Sequence, residues 1–239
     1  MLNFKLSFSL ITILFLSIIS YGQEKSKNVD AWWVISKSIE AMGGEPLLRS
    51  IKTLKTEMTT QMEGNPVTWV TKEMLPNKGA FQIIYDKRVV YEDWFNGQKG
   101  FETVNGEIKE IERASLADKF PRKNIFNELD YLDTSVYHIQ LLNDEMVNNI
   151  DCYKISAVFI GGFERHLYID KNSFQTIKED RIVKGETEAK SSTYFSDFKK
   201  FGNLVFYTNL TMGDGPEAQT ATITKLLINK QVSDDDFDK

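Results

Sequence analysis

The sequence predicts a mainly β protein, a long curved antiparallel sheet with a few helices on its concave side. Two observations predict it. From Thr53 onward apolar residues recur with period two, in runs separated by short turns rich in Gly and Asn. Several of these runs are also apolar on both faces, where a sheet with one plain solvent face alternates more cleanly.

The elements follow in order. Lys5, an apolar run over 6–19 and Ser20-Tyr21-Gly22 have the layout of a secretory signal peptide. The run falls short of the ~20 apolar residues that a membrane span needs. No cysteine stands at the junction to carry a lipid. The expectation is a signal peptide over 1–22 and one domain over 23–239, exported, soluble and not lipid-anchored. Asp30 is placed to cap a helix whose expected stripe is Trp32, Ile35, Ser36, Ile39 and Met42. Gly43-Gly44 ends it, and Pro46 opens a second, shorter helix through Leu47, Leu48 and Ile51. Trp32 and Trp33 stand about 100° apart on the helix, so they do not share the centre of one stripe.

Leu54, Thr56, Met58, Thr60 and Met62 then alternate with Lys55, Glu57, Thr59 and Gln61. Further strands are expected over 67–74, 81–85, 89–95 and 100–104. Asn96-Gly97 and Asn105-Gly106 supply tight hairpin turns. Strands joined this closely form an antiparallel meander. It pauses over 113–132, where one or two short helices are expected across the sheet, the first ending at Pro121. Strands resume over 137–142, 153–159, 163–169, 176–183, 192–198, 204–210 and 220–229. The tail, 233–239, is acidic and solvated apart from Phe237.

Composition excludes several functions. Without the leader, 28 Lys and Arg face 34 Asp and Glu, a net charge of −6. That argues against nucleic acid, whose phosphates need clustered cations. The sole cysteine, Cys152, forms no internal disulfide and reads as a small buried hydrophobe. Neither histidine, His138 or His166, belongs to a metal or nucleophile motif. There is no Gly-x-Ser-x-Gly elbow or phosphate loop. Glu92-Asp93 and Glu179-Asp180 are adjacent strand residues, so each doublet points to opposite faces. Asp234-Asp235-Asp236 lacks the glycine and terminal glutamate of a calcium loop. Asn209-Leu210-Thr211 fits the glycosylation pattern, which is short and unspecific. The expectation is a protein with no catalytic residues, metal or cofactor.

The order of certain short motifs resembles a family. Residues 31–51 pass from helix through Met42-Gly43-Gly44 to short helix. Leu75-Pro76-Asn77-Lys78, Asp151-Cys152-Tyr153-Lys154-Ile155, Tyr168-Ile169-Asp170, Tyr194-Phe195-Ser196-Asp197-Phe198 and Asp236-Phe237 follow. In this order they resemble the bacterial outer-membrane lipoprotein-sorting proteins, the LolA-like group related to the LolA, LolB and LppX carriers. The resemblance implies an incomplete β-barrel whose concave face is closed over by a mobile helical lid. It implies a periplasmic, monomeric binder or carrier of lipid or lipoprotein acyl chains, with at most a transient envelope protein partner. The expected ligand-binding lining is Trp69, Phe81, Ile83, Tyr85, Tyr91 and Trp94, with Trp32 or Trp33 from the lid. The lid-latching arginine of the carriers has no match in these motifs, and Arg88 and Arg113 are candidates by position alone. The alternative is an envelope-associated β-rich interaction module whose hollow is packed solid. An exported hydrolase would need a histidine or carboxylate pair converging in a cleft.

Overall fold

A computed structural model describes residues 29–117, 119–183 and 189–238, so the expected signal peptide lies outside the described residues. Helix α1 (Ala31–Met42) begins as expected, with the Trp33 N–H donating to Asp30 Oδ1 at 2.8 Å. Its buried stripe is Ala31, Val34, Ile35, Ser38, Ile39 and Met42. This corrects the expected stripe, since Trp32 is 42% exposed and Ser36 bonds back to the Trp32 carbonyl. Trp33 supplies the aromatic contact instead, meeting Tyr153 and Phe174 edge-on. Gly43 ends α1 at φ +127°, and a Cβ there would lie 2.6 Å from the Asn203 carbonyl oxygen, so only glycine fits. Helix α2 (Glu45–Ser50) follows, with Pro46 in its first turn.

The strands of the first half are β1 (Thr53–Met62), β2 (Asn65–Met74), β3 (Lys78–Tyr85), β4 (Arg88–Phe95), β5 (Gly100–Val104) and β6 (Glu107–Glu110). The expected pause contains a single 3-10 turn, Arg113–Leu116, and the short helix α3 (Asn127–Tyr131). Then come β7 (Tyr137–Leu141), β8 (Glu145–Val147), β9 (Ile150–Phe159), β10 (Glu164–Asp170) and β11 (Thr176–Val183). The last are β12 (Ala189–Ser196), β13 (Lys199–Phe201), β14 (Leu204–Phe206), β15 (Asn209–Met212) and β16 (Gln219–Ile228).

Fourteen strands form one antiparallel sheet in the order β6-β5-β4-β3-β2-β1-β16-β15-β12-β11-β10-β9-β7, with β8 beside β9. The first and last strands meet at its centre, Leu54 opposite Ile228. The outer strands β6 and β7 do not pair, so the barrel stays open. The expected strand over 204–210 is in fact two. Asp197 turns left-handed at φ +54°, the Thr208 N–H returns to the Ser196 carbonyl, and the Thr208 hydroxyl donates to the Asp197 carbonyl. The chain between them leaves the sheet as the separate hairpin β13–β14.

Register assigns the two faces. Leu54 packs with α1, and its side of the sheet carries Thr56, Met58 and Thr60 on β1, opposite Thr71, Trp69 and Val67 on β2. The same concave face continues through Phe195, Glu179, Leu167, Ile155 and Ile139. The main core lies there, where α1 and α3 cover β7, β9 and β10. On the convex face Trp94 and Ala80 are sealed by Phe237 of the tail. Lys72 pairs with Asp236, and Lys78 with Asp234 at 2.5 Å, which pins this tail down. Phe237 is fully buried. Phe237→Ala is expected to destabilise the fold by about 3–5 kcal/mol, as ring deletions from a core do, in urea denaturation.

Candidate ligand-binding site

The cover does not meet the sheet everywhere. Between α1, residues 122–131, the hairpin β13–β14 and the concave face lies a cavity of about 240 Å³. Its wall carries six aromatic residues, Phe126, Tyr131, Phe195, Phe198, Phe206 and Tyr207. Met42, Leu54, Leu167 and Val205 fill in between. A more open groove of about 620 Å³ adjoins it and shares Phe195 and Phe198.

One part of the wall is charged. Glu73, Glu128 and Glu179 face the cavity together with Arg122. Arg122 Nη2 donates to the carbonyls of Asn124 (3.3 Å) and Ile125 (2.9 Å), and stands 3.6 Å from Glu73 Oε1. It thereby ties the connector before α3 to strand β2. Asp130 braces the same connector, accepting from Asn124 Nδ2 at 2.7 Å. Behind the wall Arg165 pairs with Glu179. Burial raises Glu73, although Arg122 and Lys119 oppose the shift. Burial pushes Glu128 up to about 7, against a bond from its own backbone amide, with the nearby Glu179 charge adding to the rise.

The residues expected to line a hollow are distributed over three places. Trp69, Phe81, Ile83 and Tyr91 come together on the concave face, where the rings of Trp69, Phe81 and Tyr91 form a row. They stand beside the cavity, and Phe206 and Tyr207 of its wall pack against the same cluster. Trp33 packs under α1 at the other end. Trp94 is on the convex face, while Trp32 and Tyr85 are largely exposed. Arg88 lies at the exposed start of β4, and Arg113 stacks on Phe120 at 4.1 Å. The arginine in the cavity wall is Arg122. Its signal was the pause in the meander, since a charged stretch laid across a concave apolar face must aim some side chains inward.

Glu128 makes a measurable prediction. A carboxyl raised in the folded state contributes stability below its ordinary value of 4.5, and that stability is lost as pH rises through about 7. Glu128→Gln mimics the neutral form. It is expected to melt with the wild type near pH 4.5 and above it at pH 8, in thermal scans across that range.

No protein-family profile matches the chain, and no curated protein matches it in sequence. Solved structures do. A LolA superfamily protein from Nitrosomonas europaea matches with TM-score 0.59 and 13% identity, over 88% of this chain and 98% of that one. An outer membrane lipoprotein-sorting protein domain from Vibrio parahaemolyticus matches with TM-score 0.57 and 11% identity, over 86% and 95%. A DUF1329 family protein from Desulfovibrio piger gives 0.55 and 16%, over 84% and 94%. At these identities the likeness is one of architecture: the chain has the fold of the LolA superfamily protein over nearly its whole described length.

Proposed function

We propose that this chain is an exported, periplasmic binder of acyl chains, a carrier in lipoprotein sorting or lipid transport. The observation that carries the reading is the aromatic-walled cavity enclosed between the cover and the concave face. The likeness to a lipoprotein-sorting domain and a LolA superfamily protein supports it. The apolar leader pattern supports export. The physics is sufficient without catalysis. Each buried methylene contributes about 0.8 kcal/mol, so ten give about 8 kcal/mol, near micromolar affinity before ordering costs.

A long chain needs more room than the cavity alone, and two neighbouring surfaces supply it. One is the half-buried row of Trp69, Phe81, Ile83 and Tyr91, reached past Phe206 and Tyr207. The other is the groove beyond Phe195 and Phe198. Among the described residues no helix is long and apolar enough to cross a membrane.

Native mass spectrometry of protein purified from the periplasm should show bound lipid. Val205→Trp, which adds an indole to the cavity wall, should lower the bound fraction several-fold while circular dichroism stays unchanged. A lipid-free protein that neither binds dodecanol nor changes its tryptophan fluorescence on adding it would overturn the reading. A stable protein partner held by that lipid-free form would favour an interaction module instead.

A further inference from the structure

An acyl chain accounts for the aromatic wall of the cavity and leaves its polar wall unexplained. Of the three carboxylates there, Glu73 has Arg122 and Glu179 has Arg165. Glu128 belongs to no ion pair among the described residues, and Arg122 acts on it only through space. A second unmet group lines the same cavity from α1. Ser38 on α1 is 1% exposed and lines the cavity, and its hydroxyl has no hydrogen-bond partner. Buried polar groups of this kind are normally satisfied, because leaving them unmade costs the full desolvation of the group.

We infer that the cavity takes an amphiphile whose polar end is a cationic amine, with the ammonium between Glu128 and Ser38 and the alkyl chain along Phe126, Phe195 and Phe206. This rests on the acyl-chain reading of the same cavity and names its ligand class. An ammonium has three donors and no acceptor. It fits a carboxylate and a hydroxyl oxygen, both acceptors, and it supplies the charge that the wall lacks. An anionic head fits poorly, since the carboxylates facing the cavity outnumber the guanidinium groups that would greet it. Arg122 has already committed Nη2 to two carbonyls and stands beside Glu73. Its Nε is buried without a partner and remains available to an acidic head, which makes the acid the necessary control.

The burial that raises Glu128 in the empty cavity gives the amine a pH signature. Glu73 on β2, Glu179 on β11, Asp130 and Tyr131 on α3, Tyr207 beside the hairpin and Arg122 are the groups that face or act on it. An amine stays protonated across the neutral range, so its affinity rises with pH as the Glu128 proton is lost.

The test compares three twelve-carbon probes on the full chain at pH 8 by titration calorimetry: dodecylamine, dodecanol and dodecanoic acid. Dodecylamine is expected to bind about tenfold more tightly than dodecanol, and the acid more weakly than either. Its advantage over dodecanol should shrink at pH 5.5. Glu128→Gln should bring the amine-to-alcohol ratio to within about twofold of one, and Ser38→Ala should reduce it several-fold. Dodecanol binding with no preference for the amine, a preference for the acid, or an amine preference that survives Glu128→Gln overturns this inference alone. Failure of all three probes to bind overturns the acyl-chain reading with it.

Discussion

The concave face of the sheet is wider than the cover laid over it, and the rest of the structure depends on that mismatch. A helix of 12 residues is about 18 Å long. Fourteen strands spaced about 4.8 Å apart extend far beyond it. The helices therefore seal one side, where α1 and α3 bury Val34, Ile35, Leu129, Tyr137 and Phe159 in one core. Toward β2, β11 and β12 the cover thins to a connector and a hairpin of two three-residue strands. The apolar face there is roofed but not filled. Native interiors pack to crystal density when side chains are free to meet. Here the elements are held apart by their lengths, so the hollow follows from topology.

Electrostatics distinguishes this hollow from a packing defect. A dry core excludes carboxylates, because burying an unpaired charge costs several kcal/mol. The cavity wall nevertheless holds three carboxylates, of which Glu73 and Glu179 are paired with arginines. Asp180 on the convex face is a fully buried carboxylate of a different kind. Burial pushes Asp180 up, but bonds from Tyr168, Ser192, Lys190 and Lys178 outweigh this and hold it below its usual range. Glu128 has no such escort and stays raised. The chain thus satisfies Asp180 fully and leaves the half-buried Glu128 facing a cavity with no ion pair among the described residues.

The sheet was legible in the sequence because its strands obey a local rule, period two with Gly and Asn at the turns. The run 53–62, the two-residue Asn105-Gly106 turn and the Asp30 cap stand where the sequence puts them, whereas Asn96-Gly97 opens a four-residue loop between Phe95 and Gly100. The cavity was less legible because it depends on which strands the cover reaches, a long-range fact. Trp69, Phe81 and Tyr91, expected among the lining of a hollow, share the concave face, and their ring row lies beside the cavity. Trp94 has the same composition signal but opposite parity, and the tail seals it from the other side. Phe206 and Tyr207 were read as part of one strand over 204–210. Only the return of Thr208 to Ser196, a contact across twelve residues, turns them over the cavity. The stripe on α1 was misjudged for a similar reason. Both tryptophans fit a helix face, and only the position of Tyr153 and Phe174 selects Trp33.

The unequal anchoring of the cover bears on how a ligand would enter. Helix α1 buries a full stripe, and the Gln175 side chain donates to its Ala41 carbonyl at 3.2 Å. Displacing it would expose much of the main core. The hairpin β13–β14 is held differently. An isolated two-stranded hairpin is marginal in water, and this one is outside the main sheet. It rests on ring contacts of Phe206 with Phe126 and Tyr207, and on the close fit of Asn203 against Gly43. Those rings belong to the cavity wall, so any motion of the hairpin changes the cavity directly. Local opening favours elements with few buried contacts. Leu204 of the hairpin is fully buried in the main core, so it ties the hairpin to the same core that anchors α1. Gly43 lets the hairpin sit against the helix end, because a Cβ there would lie 2.6 Å from the Asn203 carbonyl oxygen.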